Sequence, residues 1–239
     1  MNQNNSGFLS SIPVVTRNII IINAIIWLAQ VVLLQRGLDL RTYLGLNYIL
    51  SDNFMPHQFV TYMFLHDPSS IMHVLFNMFA VFMFGRTLEH YWGAKKFMIY
   101  YLLTGLGAAL AQEIVYTIEL RDLIFNSSIE MFNTGVAIIT KQEFYNLFNT
   151  VGASGAVFGI LVAFGMMFPN AELMMIPIPI PIKAKWFVLG YGILELSLGF
   201  MNRSGDNVAH FAHLGGLLVG FIIMMSWRKS NKRYNDKLF

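Results

Sequence analysis

The chain alternates between long apolar stretches and shorter polar ones, and the apolar stretches set its architecture. A helix that crosses a bilayer needs about 20 consecutive apolar residues, because each residue adds about 1.5 Å to its length. Six stretches of about that length occur, at residues 18–35, 71–88, 96–117, 151–168, 184–201 and 207–227. The pattern predicts an all-α polytopic membrane protein with a bundle of six transmembrane helices.

The polar stretches between these segments predict the rest of the organisation. Residues 36–70 carry scattered aromatic side chains, which is typical of an amphipathic loop at the membrane interface, and residues 118–150 mix charged and apolar residues and could hold a short surface helix. The run 176–182 contains three prolines and cannot be helical throughout. We expect a single domain at 18–227, with a short cytoplasmic segment at 1–17 and a basic cytoplasmic tail at 228–239. The first apolar segment is expected to remain as a signal anchor.

Composition supports the membrane class. The chain is 56% hydrophobic and only 12% charged, whereas soluble domains average about 25% charged residues. There are no cysteines, which excludes a disulfide framework, a thiolate metal site and a cysteine nucleophile. The net charge of +3 does not indicate a nucleic-acid partner, because the basic residues lie between apolar segments, where they set membrane topology.

The distribution of Lys and Arg predicts the orientation. With the amino terminus inside, 11 of the 16 Lys and Arg residues fall on the inner side of the membrane and five on the outer side. Cytoplasmic loops carry such an excess, so both termini are expected in the cytoplasm. The second, fourth and sixth segments then all run inward, and each carries polar residues near its outer end.

Two of these inward segments carry a serine and a histidine in glycine-rich surroundings. Ser154 lies in the sequence GASG at 152–155, and His213 lies in AHLGG at 212–216. Small residues let membrane helices approach closely, and Gly155, Gly159, Gly216 and Gly220 are spaced to do so. A nucleophile and its base must meet within about 2.6–3.2 Å. The alternative is that the glycines only pack and that the Ser154 hydroxyl bonds a backbone carbonyl.

The second segment offers hydrogen-bond donors at the same depth. His73 and Asn77 are four residues apart and so share a helix face. Both can donate to the oxyanion of an acyl-transfer transition state, although such a pair could also be a structural hydrogen-bond site. A metal site built from His66, His73, His210 and His213 is the weaker interpretation, because no HExxH or comparable carboxylate-bearing spacing accompanies these histidines. No metal and no cofactor is predicted.

Taken together, these motifs resemble the rhomboid intramembrane serine proteases over about residues 56–228. The matching pieces are FVTYMFLH at 59–66, HVLFNM at 73–78, GRTLE at 85–89 followed by Gly93, GASG at 152–155, and AHLGG at 212–216 followed by Gly220. The resemblance implies a six-helix rhomboid-like core and a serine–histidine dyad without an acidic third member.

The resemblance also implies residue roles. Ser154 is the expected nucleophile and His213 the expected general base. The expected oxyanion donors are His73, Asn77 and the backbone amides of Ala153 and Ser154. Positions that look structural or important for packing are Glu89, Gly93, Gly152, Gly155, Phe158, Gly159, Gly216 and Gly220.

Three positions depart from this pattern or stand beside it. Phe158 occupies a position that is often tyrosine in the family, and it keeps the ring without the hydroxyl. His210 is a second histidine, one helical turn before His213, and a competing candidate for the base; we expect it nearer the outer surface. Glu195 lies within the fifth segment, where a carboxyl group is a functional candidate or a hydrogen-bonding partner of a neighbouring helix.

The resemblance implies a serine endopeptidase that hydrolyses peptide bonds in or near transmembrane segments of membrane-protein substrates. Its expected partners are those substrates and the lipid bilayer, and its expected location is the inner membrane of a bacterium. One alternative is an inactive rhomboid-like protein that binds membrane clients. A small-solute transporter is a second alternative, but the sequence has no visible repeat or paired broken helices.

Overall fold

The computed structural model describes residues 11–126, 130–133, 135, 137–174, 180–201 and 209–235. These residues are mostly helical. In chain order the helices are α1 Val14–Leu34, α2 Leu40–Leu44, α3 Gln58–Thr61, α4 Ile71–Ala80, α5 Arg86–Trp92, α6 Ala94–Glu119, α7 Arg121–Phe125, α8 Lys141–Tyr145, α9 Ser154–Met167, α10 Ala184–Met201 and α11 His210–Asn235. Short strands connect them: β1 Leu46–Asn47, β2 Met131–Asn133, β3 Ile138–Thr140, β4 Asn149–Thr150, β5 Glu172–Met174 and β6 Pro181–Lys183.

Five of the six predicted spans are long, apolar helices within the described residues. They are α1, a continuous helix over Ile71–Trp92, α6, α10 and the part of α11 at His210–Lys229. The helix over Ile71–Trp92 consists of α4, a π-helical turn at Val81–Gly85 and α5. The predicted polytopic helical bundle is confirmed, and the protein is an integral membrane protein.

The remaining predicted span, the fourth in chain order at residues 151–168, is shorter in the structure. The helix α9 begins at Ser154 and has 14 residues, fewer than the roughly 20 that cross a bilayer. Most of its side chains are buried, because α6, α10 and α11 surround it. A helix enclosed by protein on most sides is not required to match the thickness of the bilayer along its own length.

Glycines let α11 approach α9 closely. A side chain at Gly216 would overlap the backbone of Gly155, and a Cβ atom at Gly220 would lie 3.0 Å from the Cα of Gly159. The hydroxyl of Tyr100 on α6 donates a hydrogen bond of 2.8 Å to the Gly159 carbonyl. The packing predicted for these glycines from their spacing is therefore present, and α6 completes a three-helix core with α9 and α11.

Glu89 ties the first helix to the second span. Its carboxylate accepts hydrogen bonds from the Val15 amide at 2.9 Å, the Thr16 amide at 2.7 Å and the Thr16 hydroxyl at 2.7 Å. These two amides lie in the first turn of α1, where backbone N–H groups have no partner within the helix. Gly93, which ends α5, has a φ of 78° and turns the chain into α6. Both residues have the structural surroundings that the sequence indicated.

The two long connections pack against each other. The strand β1, from the first connection, pairs antiparallel with β4, from the second. Tyr48 is fully buried in a cluster with Leu120, Leu123 and Tyr145. The first connection is thus not only an interfacial surface loop, because contacts with a segment about 100 residues later enclose one of its aromatic side chains.

The remaining connections contain features that only partly match the sequence analysis. The second long connection holds the short helices α7 and α8 and also an antiparallel hairpin of β2 and β3, which was not predicted. In the proline-rich run, Pro181–Lys183 form β6 and pair with β5. Residues 175–179 lie outside the described residues, and so do residues 202–208 before the sixth span.

Candidate active site

Ser154 and His213 meet where α9 and α11 pack most closely. The Nε2 atom of His213 lies 2.7 Å from the Oγ atom of Ser154. Ser154 occupies the first residue of α9 and is half-buried, whereas the His213 side chain lies one turn into α11 and is buried. The distance falls within the range that a general base needs in order to take a hydroxyl proton.

Gly152 shapes the backbone that enters α9. It has a φ of 132°, a conformation that glycine adopts far more easily than other residues. Its amide donates to the Tyr62 carbonyl at 3.0 Å. A Cβ atom at this position would lie 3.1 Å from His73 Nε2 and 3.4 Å from Ser154 Oγ. Glycine therefore satisfies the backbone conformation and also leaves open the space between these two side chains.

Contacts on two sides fix the ring of His213. Phe158 stacks on it, with ring centroids 4.5 Å apart and planes inclined by 12°. The Nδ1 atom lies 2.9 Å from Glu195 Oε2. The carboxylate accepts a hydrogen bond from Nδ1–H, so the proton of the neutral ring lies on Nδ1 and the Nε2 lone pair faces the Ser154 hydroxyl. This is the tautomer that a base acting on Ser154 requires.

The contact with Glu195 was missed by the resemblance, which implied a dyad without an acidic member. The sequence did mark Glu195 as a carboxyl group within a membrane span, and that was the signal that could have found it. The partner could not be read from the sequence, because Glu195 and His213 lie on different helices and 18 residues apart.

His210 lies in the same cluster and is the first residue of α11, one turn nearer the start of that helix than His213. It is buried, and its Nδ1 atom lies 2.6 Å from Glu195 Oε2. The same carboxylate oxygen therefore contacts both histidines of α11. Of the two candidates for the base, His213 is the one that the structure places against Ser154.

Three kinds of hydrogen-bond donor near Ser154 are candidates for stabilising an oxyanion. His73 Nδ1 accepts a hydrogen bond of 3.3 Å from the Asp67 amide, so in the neutral ring the proton lies on Nε2, which faces the space beside Gly152. One N–H of the Asn77 side-chain amide donates to the His73 carbonyl at 2.8 Å, which leaves its second N–H as a candidate donor. The backbone amides of Ala153 and Ser154 lie at the start of α9, where the helix dipole favours negative charge.

The segment before α4 is held in place by a residue of α1. The Gln30 side chain accepts from the His66 amide and donates to the His66 carbonyl, both at 2.9 Å. The His66 ring packs edge-on against His73, with centroids 4.9 Å apart. Burial, with a smaller effect of His73, lowers the pKa of His66 to about 3. His66 is therefore neutral at physiological pH.

A metal ion has one candidate position among the described residues. Ligand atoms of Glu195, His210 and His213 all lie within 4.8 Å of one another, and two histidines with one glutamate are a ligand set that zinc accepts. The metal site considered from the sequence consisted of four histidines and did not include this carboxylate. Direct hydrogen bonds of 2.6 and 2.9 Å join the three groups to each other, so these side chains satisfy one another without an ion.

A family model and several known proteins match this chain. The Rhomboid domain model matches residues 53–230. The chain is 27% identical over 167 residues to "Rhomboid protease AarA" of Providencia stuartii, a match that covers 69% of this chain and 53% of that protein. It is 28% identical over 195 residues to "RHOMBOID-like protein 12, mitochondrial" of Arabidopsis thaliana, which covers 79% of this chain and 52% of that protein.

A third relative matches end to end. "Putative rhomboid protease YdcA" of Bacillus subtilis (strain 168) is 25% identical over 240 residues, which covers 97% of this chain and 98% of that protein. By contrast, the chain spans about half the length of the first two relatives. The family model matches well over half of the residues, and the chain therefore belongs to the rhomboid family.

Proposed function

We propose that the protein is an intramembrane serine endopeptidase that cleaves other membrane proteins in or near their transmembrane segments. The observation that carries the proposal is the contact of 2.7 Å between Ser154 Oγ and His213 Nε2. Polar groups inside a membrane protein are costly and are usually functional. The stacked ring of Phe158 supports the same proposal, because it holds the imidazole plane in line with the serine.

The reaction follows from the positions of these groups. Ser154 Oγ attacks the carbon of the scissile carbonyl, and His213 Nε2 takes the hydroxyl proton. The resulting oxyanion receives hydrogen bonds from His73 and from the backbone amides of Ala153 and Ser154. The carbon–nitrogen bond then breaks as His213 returns the proton to the leaving amine. Water, activated by the same histidine, hydrolyses the acyl-enzyme.

Asn77 joins the oxyanion donors in this proposal through its second amide N–H. One N–H of the group already donates to the His73 carbonyl, which limits how far the amide can turn toward the substrate. Catalytic hydrogen bonds often tighten only in the substrate complex. We therefore assign the larger share of oxyanion stabilisation to His73.

The proposed substrates are transmembrane proteins, and the proposed location is the inner membrane of a bacterium. Residues 18–227 form the protease domain in this proposal, with the segment 1–17 and the tail 228–239 on the cytoplasmic side. Some relatives are named as mitochondrial, so the location needs its own test. Tags at both ends should be shielded from impermeant reagents in intact cells, while residues in 118–150 should be labelled. An externally labelled carboxyl terminus would overturn this orientation.

A fluorophosphonate probe tests the activity directly, because it needs an activated hydroxyl and no matched substrate. The purified full chain in detergent should be labelled, and Ser154→Ala should abolish the labelling. Ser197→Ala is the matched control, since Ser197 is an exposed serine of α10 that bonds the Ile193 carbonyl. For the base, His213→Ala should lower labelling sharply, whereas His90→Ala, at an exposed histidine of α5, should not.

The same preparations, reconstituted in liposomes with a model single-span substrate, should cleave it only when Ser154 is present. A folded parent protein that resists the probe and spares several such substrates would favour an inactive client-binding rhomboid. Cleavage that survives Ser154→Ala and stops with a chelator would favour a metal hydrolase.

A further inference from the structure

Glu195 is an unusual residue for its helix. Most side chains of α10 are exposed, and its buried residues are Ala184 and Glu195. The carboxyl group of Glu195 is 4% exposed and contacts two histidines through one oxygen atom. A carboxylate within a membrane span is costly unless it is paired. The pairing here reaches the histidine that contacts Ser154.

We propose that Glu195 is a positioning residue for His213, so that Ser154, His213 and Glu195 act in series and His210 holds the carboxylate from its other side. The proposal rests on the protease function proposed above. It differs from the serine–histidine dyad that the family resemblance implied, and it assigns a role to each of the three buried polar groups between α10 and α11.

The role follows from hydrogen bonding. The Oε2 atom of Glu195 accepts a hydrogen bond from the His213 Nδ1–H group, which keeps the Nε2 lone pair directed at Ser154. When His213 takes the serine proton, the ring becomes positively charged. A carboxylate 2.9 Å away stabilises that charge. The serine proton moves to His213 Nε2 and then to the leaving amine, while Glu195 stays ionised throughout.

In this proposal His210 binds the carboxylate of Glu195 and does not act on Ser154. It lies three residues before His213 on α11, so both rings project from one face of that helix. Its contact of 2.6 Å with the same oxygen supplies a second hydrogen bond to Glu195. Because both histidines donate hydrogen bonds to it, the carboxylate can remain ionised in a buried site and keeps a fixed orientation.

Other titratable groups lie on neighbouring helices. His73 on α4 interacts electrostatically with His213, and Tyr191 on α10 does so with Glu195. On α6, Tyr100 bonds the Gly159 carbonyl, and Glu113 accepts from the Ile49 amide. Because Glu195 is the acidic group in contact with His213 among the described residues, it dominates the local charge at the base.

The alternative to a positioning role is that Glu195 only holds α10 and α11 together. Glu195 also joins α10 to α11, so its removal could loosen a helix without affecting the base. Glu195→Gln separates the two roles, because the amide keeps the size and can still hydrogen-bond both helices but loses the charge. Glu113→Gln is the matched control, since it neutralises another buried carboxyl group, on α6.

The test compares these full-length variants by thermal unfolding in detergent and by the kinetics of cleavage of a single-span substrate in liposomes. We expect Glu195→Gln to unfold near the parent temperature and to lower kcat by up to about 10⁴, the loss that follows when a tautomer-fixing carboxylate is replaced by an amide. KM should change little, whereas a merely structural defect would change kcat and KM together. Glu113→Gln should keep the parent kcat and KM.

Two further variants keep the proposal falsifiable. His210→Ala should cost less than about tenfold, since Glu195 keeps its contact with His213. If Glu195→Gln does not fold, Glu195→Asp retains the charge at a longer distance and should give an intermediate rate. A folded Glu195→Gln or Glu195→Asp protein with the parent kcat and KM would show that Glu195 only anchors α10.

The remaining outcomes are distinct. A parent protein that neither cleaves nor reacts with a fluorophosphonate would overturn the protease function, and the positioning role with it. Parent activity that a chelator removes and Zn²⁺ restores would overturn the positioning role alone, and would identify Glu195, His210 and His213 as metal ligands.

Discussion

The ring of Phe158 lies flat against the ring of His213, with centroids 4.5 Å apart and planes 12° from parallel. Phe158 projects from α9 one turn after Ser154, so the helix that carries the proposed nucleophile also orients the proposed base. A favourable aromatic pair contributes about 0.5–1.5 kcal/mol beyond the burial of its area. This contact is therefore strong enough to affect rate without deciding whether the protein folds.

Phe158→Ala should lower kcat by up to about tenfold, because the histidine ring loses one of its two orienting contacts. Phe158→Tyr should retain the parent rate, since it keeps the stacked ring. Cleavage of a single-span substrate in liposomes measures both. Phe221→Ala, at an exposed phenylalanine of α11, is the control and should be without effect. An unchanged rate in Phe158→Ala would show that Glu195 alone orients His213.

Gly216→Ala should destabilise the protein and reduce its activity, because the added methyl group overlaps the Gly155 backbone and forces α11 away from α9. Overpacking of this kind costs about 1–3 kcal/mol. Gly190→Ala is the matched change, since nothing lies within 4 Å of a Cβ atom there. Thermal unfolding in detergent should separate the two variants. Equal melting temperatures would contradict the close packing of α9 and α11.

Gly152→Ala should reduce both stability and the activity of each folded molecule. The positive φ strains any other residue by about 1–3 kcal/mol, and the new methyl group crowds His73 and Ser154. Gly93→Ala imposes strain at a φ of 78° but meets no neighbouring atom. Gly93→Ala should therefore lower the stability of the protein and leave the activity of each folded molecule unchanged. The rate of fluorophosphonate labelling per folded molecule distinguishes them, and equal rates would remove the steric argument.

His73→Ala should lower kcat by about 10²–10³, the range for loss of one oxyanion donor. Asn77→Ala should lower it less, because its amide donates to the His73 carbonyl in this structure. KM for the substrate should remain close to the parent value in both variants. A larger loss in Asn77→Ala than in His73→Ala would mean that Asn77 rotates and becomes the principal donor.

Glu89→Ala should lower the melting temperature and leave the cleavage rate of the folded fraction unchanged. Three hydrogen bonds to the start of α1 are lost, at a combined cost of about 2–4 kcal/mol. Glu172→Ala, at an exposed residue of β5, should have no effect on stability. A lower rate with unchanged stability in Glu89→Ala would mean that Glu89 affects the site directly.

The sequence allowed the bundle to be predicted because apolar length is a local property. Each long helix corresponds to one apolar run, and the glycine spacing around Ser154 and His213 indicated which helices would pack. The exact start of α9 was harder to predict from the sequence, because it depends on the positive φ of Gly152. The predicted segment began three residues too early for that reason.

Contacts between segments that are distant in the sequence could not be predicted in this way. The pairing of β1 with β4 joins residues about 100 positions apart, and the contact of Glu195 with His213 depends on how α10 packs on α11. The sequence marked Glu195 as unusual, but its partner is decided by tertiary packing. The same holds for Asn77, whose position on the helix was predicted and whose hydrogen bond was not.

The short length of α9 has a consequence for any substrate. A helix of 14 residues is about 21 Å long, about 9 Å less than the hydrocarbon core of a typical bilayer. In the proposed protease, with the end of α9 at the inner boundary, a peptide must cover that gap from outside in extended form, at about 3.3 Å per residue. Roughly three residues of a substrate helix then unwind in surroundings that leave their amides without partners. Segments that already form poor helices lose least, so the proposed function predicts a preference for them.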